Sequence, residues 1–253
     1  MRSVTGERIR LATFNLRGVW GPKQQAIARL LNEAAVDLVC LQECWASTVE
    51  PIRDAMGPEW TVTQDPRDET SNAVLSRLPF SDVVFEPLEL GGAYAERSAV
   101  IATLTWPGRG PLRVCSTHLE QREEQGRLAQ WELLSRRVKG PLIVAGDLNA
   151  LRRADYSLEQ WASIQQSRIA GNWEPPVSLL TSHLADVGYR DAWVQAGEGP
   201  LEETCRYGTR IDYLLLSPDF PGDFVPGSYR QFSTISDGLS DHALVTVDLD
   251  LLP

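Results

Sequence analysis

Residues 141–149 have the sequence PLIVAGDLN, in which an apolar run of strand length is followed by Asp147 and Asn149. A short apolar run that ends in polar residues predicts a buried central strand with a loop just beyond it. Asp147 and Asn149 are two positions apart, so in extended backbone their side chains leave the same face. This stretch therefore predicts a sheet with functional polar side chains at the ends of its strands.

The same pattern, an apolar strand with a polar residue at one end, recurs along the chain. It occurs at Asn15 in RIRLATFNL (8–16), Glu43 in VDLVCLQE (36–43), His118 in PLRVCSTHL (111–119), Asp212 in RIDYLLLS (210–217), and Asp241 and His242 at the start of HALVTVDLDLL (242–252). Loops beyond strand ends are held by a rigid sheet, which suits catalytic groups that need a fixed geometry. We therefore expect these side chains to gather at one rim.

Hydrophobic periodicity and turn signals predict the remaining elements. The predicted helices cover residues 21–35, 48–56 with Pro51 in the first turn, 120–138, and 177–187 with a stop at Gly188. The further predicted strands are WTVTQD (60–65), SNAVLSR (71–77), DVVFEPLEL (82–90), the stretch near RDAW (190–193), and ERSAVIATLTW (96–106) in a hairpin with residues 111–119 through the turn PGRG. This mixture predicts a layered α/β sandwich of two facing sheets with helices outside.

Composition and charge narrow the classes of protein. Hydrophobic residues make up 43% of the chain, which excludes wholesale disorder. The formal net charge of −10 argues against a protein that coats duplex nucleic acid. It leaves a phosphoester substrate open, because a bound dication reverses the local field. No apolar run approaches the roughly 18–20 residues that cross a bilayer, and no secretory signal is evident, so we expect a cytoplasmic protein without a membrane partner.

We expect one domain over residues 1–253, with residues 151–180 as a helical excursion, because no segment has the composition of a linker. A monomer is favoured. The four cysteines lack the paired spacing of zinc knuckles and are expected to be reduced thiols. They are Cys40, Cys44, Cys115 and Cys205.

Acids, amides and histidines on one rim would form a strongly charged site unless a cation or a substrate neutralised them. Oxygen ligands such as Glu43, Asp241 and Asn15 suit Mg²⁺ or Mn²⁺ rather than Zn²⁺. In isolation each residue also has an ordinary structural explanation, such as a turn for Asn15, a helix cap for Glu43 or a satisfied core histidine for His118. Their joint pattern favours a metal site.

Six motifs, taken together, resemble a known family. They are TFNLRG (13–18), LQE (41–43), STHLE (116–120), GDLNA (146–150), RIDYLLLS (210–217) and SDHALV (240–245). In this order they match the motif series of the endonuclease/exonuclease/phosphatase superfamily over residues 11 to 247. The resemblance implies a four-layer α/β sandwich, in which two mixed β-sheets pack face to face with helices on both outer sides. The tyrosyl-DNA phosphodiesterases are the branch that the HLE motif and the arginine-bearing helix after it resemble.

The resemblance also implies a metal site and an attacking water. Glu43 would be the principal ligand of Mg²⁺ or Mn²⁺, and Asn15 and Asp241 would complete the site directly or through water. Asp147 would orient or deprotonate the attacking water. Asn149 would steady that water or the scissile phosphate.

The remaining implied roles concern the phosphate. His242 would bond to Asp212 and contact a phosphoryl oxygen, His118 would bind another phosphate oxygen, and Arg97 would lie near the phosphate. The implied reaction is in-line attack of water on phosphorus. We expect a phosphodiesterase or nuclease that acts on DNA ends or nucleotides. The alternatives are an enzyme for a small-molecule or lipid phosphate, and a non-catalytic binding module with the same fold.

Overall fold

The strands of the computed structural model form two sheets, and the structure describes residues 8–18, 23–66, 71–92, 94–108, 110–234 and 237–251. In chain order the strands are β1 (Arg8–Asn15), β2 (Leu38–Cys44), β3 (Thr61–Gln64), β4 (Ser71–Ser76), β5 (Phe80–Pro87), β6 (Ser98–Trp106), β7 (Gly110–His118), β8 (Ile143–Asp147), β9 (Arg190–Asp191), β10 (Asp212–Leu216), β11 (Gly222–Phe224), β12 (Arg230–Phe232) and β13 (Leu244–Leu251). The helices are α1 (Lys23–Glu33), α2 (Ala46–Met56), α3 (Glu124–Arg137), α4 (Leu158–Ala170), α5 (Leu179–Asp186) and α6 (Ala192–Ala196).

Both sheets mix parallel and antiparallel pairs. The first sheet has the order β11-β13-β1-β2-β4-β3, and β12 also pairs with β13. In it β1 is parallel to β2 and antiparallel to β13. The second sheet has the order β5-β6-β7-β8-β10-β9, with β7 parallel to β8. β6 and β7 form the predicted antiparallel hairpin, whose turn includes Arg109, a residue outside the described ranges.

The largest core lies between the two sheets. Ile9 and Leu11 of β1 face it, whereas Ala12 and Phe14 pack on the opposite side of the same strand, as the two-residue period of extended backbone requires. Val114 of β7 and other apolar residues of the second sheet belong to the same inner cluster. The two sheets therefore bury their inner faces against each other.

Helices cover both outer faces. Ile27 of α1 and Ile52 of α2 pack on the first sheet, while Trp131 of α3 and Leu180 of α5 pack on the second. The predicted four-layer sandwich is confirmed. In the described residues, no helix is both long enough and apolar enough to span a membrane. The four cysteines are buried free thiols.

The helix around Pro51 is longer than predicted. Pro51 lies inside α2 rather than in its first turn, because the helix already begins at Ala46. Proline cannot donate to the carbonyl four residues earlier, which here belongs to Ser47. Gln24 Nε2 donates to that carbonyl instead, at 2.7 Å. A side chain from α1 thus satisfies the backbone group that the proline leaves without a donor.

Two other predicted elements differ in extent. α3 begins at Glu124 rather than at residue 120, because the Glu120 carboxylate accepts from the Ala95 and Arg122 amides and holds residues 120–123 as a loop. The strand predicted near RDAW consists of only two residues, and α6 follows it directly. The Asp191 side chain caps α6 by accepting from the Trp193 amide at 2.9 Å. The predicted start of the helix over 21–35 lies outside the described residues, and α1 spans Lys23–Glu33.

Candidate active site

The inner faces of the central strands change from apolar to polar at one end. On β1, Ile9 and Leu11 are followed on the same face by Asn15. On β8, Ile143 occupies the inter-sheet core, and Asp147 lies on that face at the end of the strand. Asn15 Nδ2 donates to Asp147 Oδ2 at 3.0 Å, so the polar ends of the two sheets meet.

A buried chain of hydrogen bonds lies beside this contact, starting two residues earlier on β1. Thr13 Oγ1 donates to Gln42 Oε1 at 3.2 Å, and Gln42 Nε2 donates to Ser116 Oγ at 3.2 Å. Ser116 Oγ in turn donates to the Leu41 carbonyl at 3.0 Å. This chain joins β1 and β2 of the first sheet to β7 of the second. It fixes the spacing between the sheets at the base of the candidate site.

Asp147 lies at the centre of a cluster that also contains His118 and His242. Its Oδ1 accepts from the Asn149 amide at 2.9 Å. Its Oδ2 lies 3.5 Å from His118 Nε2 and 3.7 Å from His242 Nε2. Burial raises the pKa of Asp147 to about 7, although the charge of His242 lowers it in part. A carboxylate with this pKa is suited to exchange a proton near neutral pH.

His118 is held in its neutral form. Burial, and then the charges of Arg97 and His242, place the pKa of His118 well below its ordinary value. Arg97 Nη1 lies 3.1 Å from His118 Nδ1. A guanidinium can only donate, so His118 Nδ1 must accept and the ring proton resides on Nε2. That Nε2–H is directed towards Asp147.

His242, in contrast, is held in its protonated form. Burial alone would lower the pKa of His242, but the charge of Asp212 and the hydrogen bond to it raise that pKa well above its ordinary value. His242 Nδ1 donates to Asp212 Oδ2 at 2.9 Å. The imidazolium therefore presents its second N–H to the space beside Asp147.

Thr204, which the sequence reasoning did not identify, fixes the start of β10. Its buried hydroxyl oxygen accepts from the Ile211 amide at 3.0 Å and from the Asp212 amide at 3.1 Å. Asp212 Oδ1 has no hydrogen-bond partner within the described residues. Thr204 lies eight positions before Asp212, and no local pattern marks it. Only the folded backbone connects the two.

Glu43 lies at a bulge at the end of β2. The pairing register between β2 and β4 shifts between Leu41 and Cys44, and Glu43 has a left-handed φ of 50°. Such backbone is strained for a residue with a side chain, and strain of this kind clusters at functional sites. Glu43 Oε1 lies 3.2 Å from Asn15 Nδ2 and 3.9 Å from His118 Nδ1. Its side chain is about one-third exposed, so it faces the opening of the site.

The predicted residues do not all point to the same place. Asp241 Oδ2 lies 3.4 Å from Arg17 Nη1 and 3.4 Å from Arg206 Nε, so its carboxylate is directed towards two arginines. Asn149 Nδ2 donates to the Leu119 carbonyl at 3.0 Å. His183, whose TSHL sequence resembles STHL, is exposed on α5 and lies outside the cluster.

The donor set fits a hard divalent cation. Among the described residues, one trio of acidic and histidine side chains has ligand atoms within 4.8 Å of one another, namely Asp147, Asp212 and His242. Two members of that trio already form a hydrogen-bonded pair. The carboxylates of Glu43 and Asp147 converge on a single amide nitrogen of Asn15, and oxygen atoms of this kind are the ligands that Mg²⁺ prefers. Glu43 is thus the residue that could hold a cation at the opening, whereas Asn15 turns its amide nitrogen to the carboxylates and its Oδ1 accepts from the Arg17 amide at 2.9 Å.

Solved structures share this architecture at low sequence identity. The chain is 18% identical to an endonuclease/exonuclease/phosphatase from Bacteroides vulgatus, with a TM-score of 0.72 over 97% of this chain and 99% of that one. It is 15% identical to the mannosyl-6-phosphatase of Bacteroides thetaiotaomicron, with a TM-score of 0.70 over 95% and 99%. It is 18% identical to truncated TDP2 from Caenorhabditis elegans, with a TM-score of 0.66 over 96% and 97%. At these identities the likeness shows the fold alone.

The sequence itself identifies the family. No curated protein matches the chain significantly. The model of the endonuclease/exonuclease/phosphatase family matches residues 12–242, which is most of the chain. The match includes the first five motifs and the sixth as far as His242. The membership that the motif series predicted is confirmed: the chain belongs to the endonuclease/exonuclease/phosphatase family.

Proposed function

We propose that the chain is a divalent-metal-dependent phosphoester hydrolase in which Asp147 activates the attacking water. The substrate we propose is a phosphodiester of a DNA end or a nucleotide. The observation that carries the proposal is the position of Asp147 between a neutral histidine and a protonated one, His118 and His242. Family membership supplies the reaction class.

Asp147 is the proposed base. Its pKa of about 7 makes the carboxylate a better proton acceptor than an exposed aspartate. The Asn149 amide and Asn15 Nδ2 each donate to one of its oxygens, and these two bonds fix the orientation of the carboxylate. A water that loses its proton to Asp147 would attack phosphorus in line with the leaving oxygen.

The histidines would bind the phosphoryl group from two sides. His242 Nε2–H, charged because of Asp212, would donate to an oxygen that gains negative charge as the bond to the leaving group breaks. His118 Nε2–H would donate as a neutral group, with Arg97 holding its tautomer. A preorganised donor of this kind costs no reorganisation during the reaction.

A Mg²⁺ or Mn²⁺ ion held by Glu43 and Asn15, with Asp241 directly or through water, would supply positive charge that stabilises the phosphoryl oxygens. Arg17 and Arg206 flank Asp241 and bring further positive charge to the same rim. Because the net charge of the chain is −10, we expect these local groups, and not a long basic surface, to bind the substrate.

The metal dependence can be tested with bis(p-nitrophenyl) phosphate. We expect Mg²⁺- or Mn²⁺-dependent release of nitrophenol, lost with EDTA and reduced by about 10²–10⁴-fold in Glu43→Gln. Glu132→Gln is the matched control, because Glu132 is exposed on α3 and forms an ion pair with Arg136 in the next turn. Equal rates in wild type and Glu43→Gln would contradict the metal assignment.

A substrate panel separates the alternatives. Phosphomonoesters, phosphodiesters, abasic DNA, 5′-tyrosyl DNA and phospholipids should be compared at equal metal concentration. Preference for DNA ends or nucleotides supports the proposal, and preference for a sugar phosphate or a lipid supports the small-molecule alternative. Binding of a phosphoester without turnover of any member of the panel would favour the non-catalytic module.

A further inference from the structure

Two large aromatic side chains are exposed together at the rim of the candidate site. Tyr207 is 57% exposed and Trp173 is 45% exposed. Their ring centroids are 5.4 Å apart and their planes are inclined by 58°. Trp173 follows α4, and Tyr207 comes from the loop before β10, so two segments distant in sequence contribute to one exposed aromatic surface.

Arg206 connects this aromatic pair to the site. Its guanidinium lies 4.8 Å from the centre of the Tyr207 ring, and Nη2 donates to Tyr207 Oη at 2.6 Å. Its Nε lies 3.4 Å from Asp241 Oδ2. Cys205, the preceding residue, forms a β-bridge with His242. The loop that carries Tyr207 is therefore paired with the residue that we propose to contact the phosphoryl group.

The backbone of Trp173 is fixed from both sides. Its amide donates to the Arg168 carbonyl at 2.8 Å, and Asn172 before it has a left-handed φ of 53°, a standard arrangement at the end of a helix. Glu174 after it accepts from Arg127 Nη2 at 3.0 Å and from the Glu124 amide at 2.8 Å. The ring is thus exposed on an anchored segment.

The backbone of Tyr207 is also ordered. Cys205 forms a β-bridge with Thr209, and the Gly208 amide donates to the Cys205 carbonyl at 3.1 Å. These contacts close a tight turn with Tyr207 at its tip. Binding to a surface that is already ordered loses less conformational entropy than binding to a mobile loop.

We propose that Trp173 and Tyr207 form a stacking subsite for a nucleobase next to the scissile phosphate, with Arg206 placed between that base and the phosphate-binding groups. The inference rests on the proposed hydrolase function and specifies its substrate. A base offers a flat π-face whatever its identity, so the subsite accepts all four bases with similar affinity. Stacking also supplies affinity that an acidic chain does not obtain from a basic surface.

The test compares two substrates that differ only in the base. One is thymidine 5′-(p-nitrophenyl phosphate), and the other is the same ester of 1,4-anhydro-2-deoxyribitol, which has the sugar without a base. In wild type we expect kcat/KM to be about 10- to 100-fold higher for the thymidine ester, the range that stacking of one base provides. In the double variant Trp173→Leu/Tyr207→Leu we expect that ratio to fall towards one, mainly through KM.

Conservative and structural controls accompany this comparison. Tyr207→Phe keeps the ring and loses the hydroxyl, so it should retain most of the preference for the thymidine ester. If the aromatic pair only fastens the segment after α4 to the rim, the double variant lowers kcat/KM equally for both esters, and this outcome overturns the subsite. A wild type without preference between the esters overturns it too, while the hydrolase proposal stands. Hydrolysis of neither ester, with metal present, overturns both.

Discussion

A histidine lies on each side of Asp147, one neutral and the other protonated. His118 and His242 are 4% and 8% exposed, and their Nε2 atoms lie 3.5 Å and 3.7 Å from the same carboxylate oxygen. Burial lowers the pKa of both. Arg97 lowers that of His118 further, whereas Asp212 raises that of His242. The comparison teaches that, at similar burial, the charged residue at the Nδ1 side of each ring, Arg97 or Asp212, decides whether the ring is protonated.

This difference divides the proposed work at the site. The side of His242 offers a fixed positive charge, and the side of His118 offers a neutral donor whose other nitrogen is occupied by Arg97. Asp147 between them keeps a pKa near neutrality because the burial that raises it is partly offset by the charge of His242. A variant in which His118 and His242 have the same charge should therefore impair the proposed reaction.

The largest effect is expected from Asp147→Asn, which removes the group that both histidines face. The amide cannot accept the proton of the attacking water, so we expect kcat for bis(p-nitrophenyl) phosphate to fall by about 10²–10⁴-fold with metal present. Steady-state kinetics measures this, with circular dichroism to verify folding. Full activity in a folded variant would remove Asp147 from the proposed role.

A smaller effect is expected from Asp212→Asn, which makes the His242 side resemble the His118 side. Without the carboxylate, His242 loses the charge and the hydrogen bond that most raise its pKa, while burial still lowers it. The pKa of His242 should therefore fall, and we expect a loss of about 10- to 10³-fold in kcat. Nitrogen chemical shifts in the metal-free protein report the charge directly. A His183→Gln background leaves only His118 and His242 among the three histidines.

In that background the unmodified site should show one imidazolium and one neutral ring at pH 6.5, and Asp212→Asn should shift the imidazolium signal towards the neutral form. Two histidines with the same charge before the substitution would contradict the comparison on which the prediction rests. A loss of kcat without a change in the His242 signal would assign Asp212 a role in positioning alone.

The smallest effect is expected for stability, from His118→Gln. Because the pKa of His118 is lower in the folded chain than in the unfolded one, the unfolded chain gains a proton first as pH falls below about 6.5. Wild type should therefore lose stability relative to the variant by up to about 1.4 kcal/mol per pH unit below that point. Urea unfolding in EDTA from pH 7.5 to 5 measures this. His183→Gln, at an exposed position, is the matched control.

Most of the fold followed from local pattern, and the exceptions have physical reasons. Strand β8 ends at Asp147 as predicted, because a short apolar run and the residue after it are neighbours in sequence. The prediction that Pro51 lies in the first turn of its helix was wrong. The helix extends further because the Gln24 side chain donates to the carbonyl for which the proline has no N–H. The stretch near RDAW was predicted to be a strand, but only Arg190 and Asp191 are extended and α6 follows. Apolar patterning did not reveal this helix, because the Asp191 cap that starts it is a side-chain contact.

By itself the sequence determined which residues face the interior at each strand end, since alternation along extended backbone depends only on neighbours two positions apart. It also determined the family, because six motifs stand in one order. Only the tertiary structure decided which histidine is charged, that Asp241 is directed towards Arg17 and Arg206, and that Trp173 meets Tyr207. These properties depend on distances between residues far apart in the chain, and packing sets those distances.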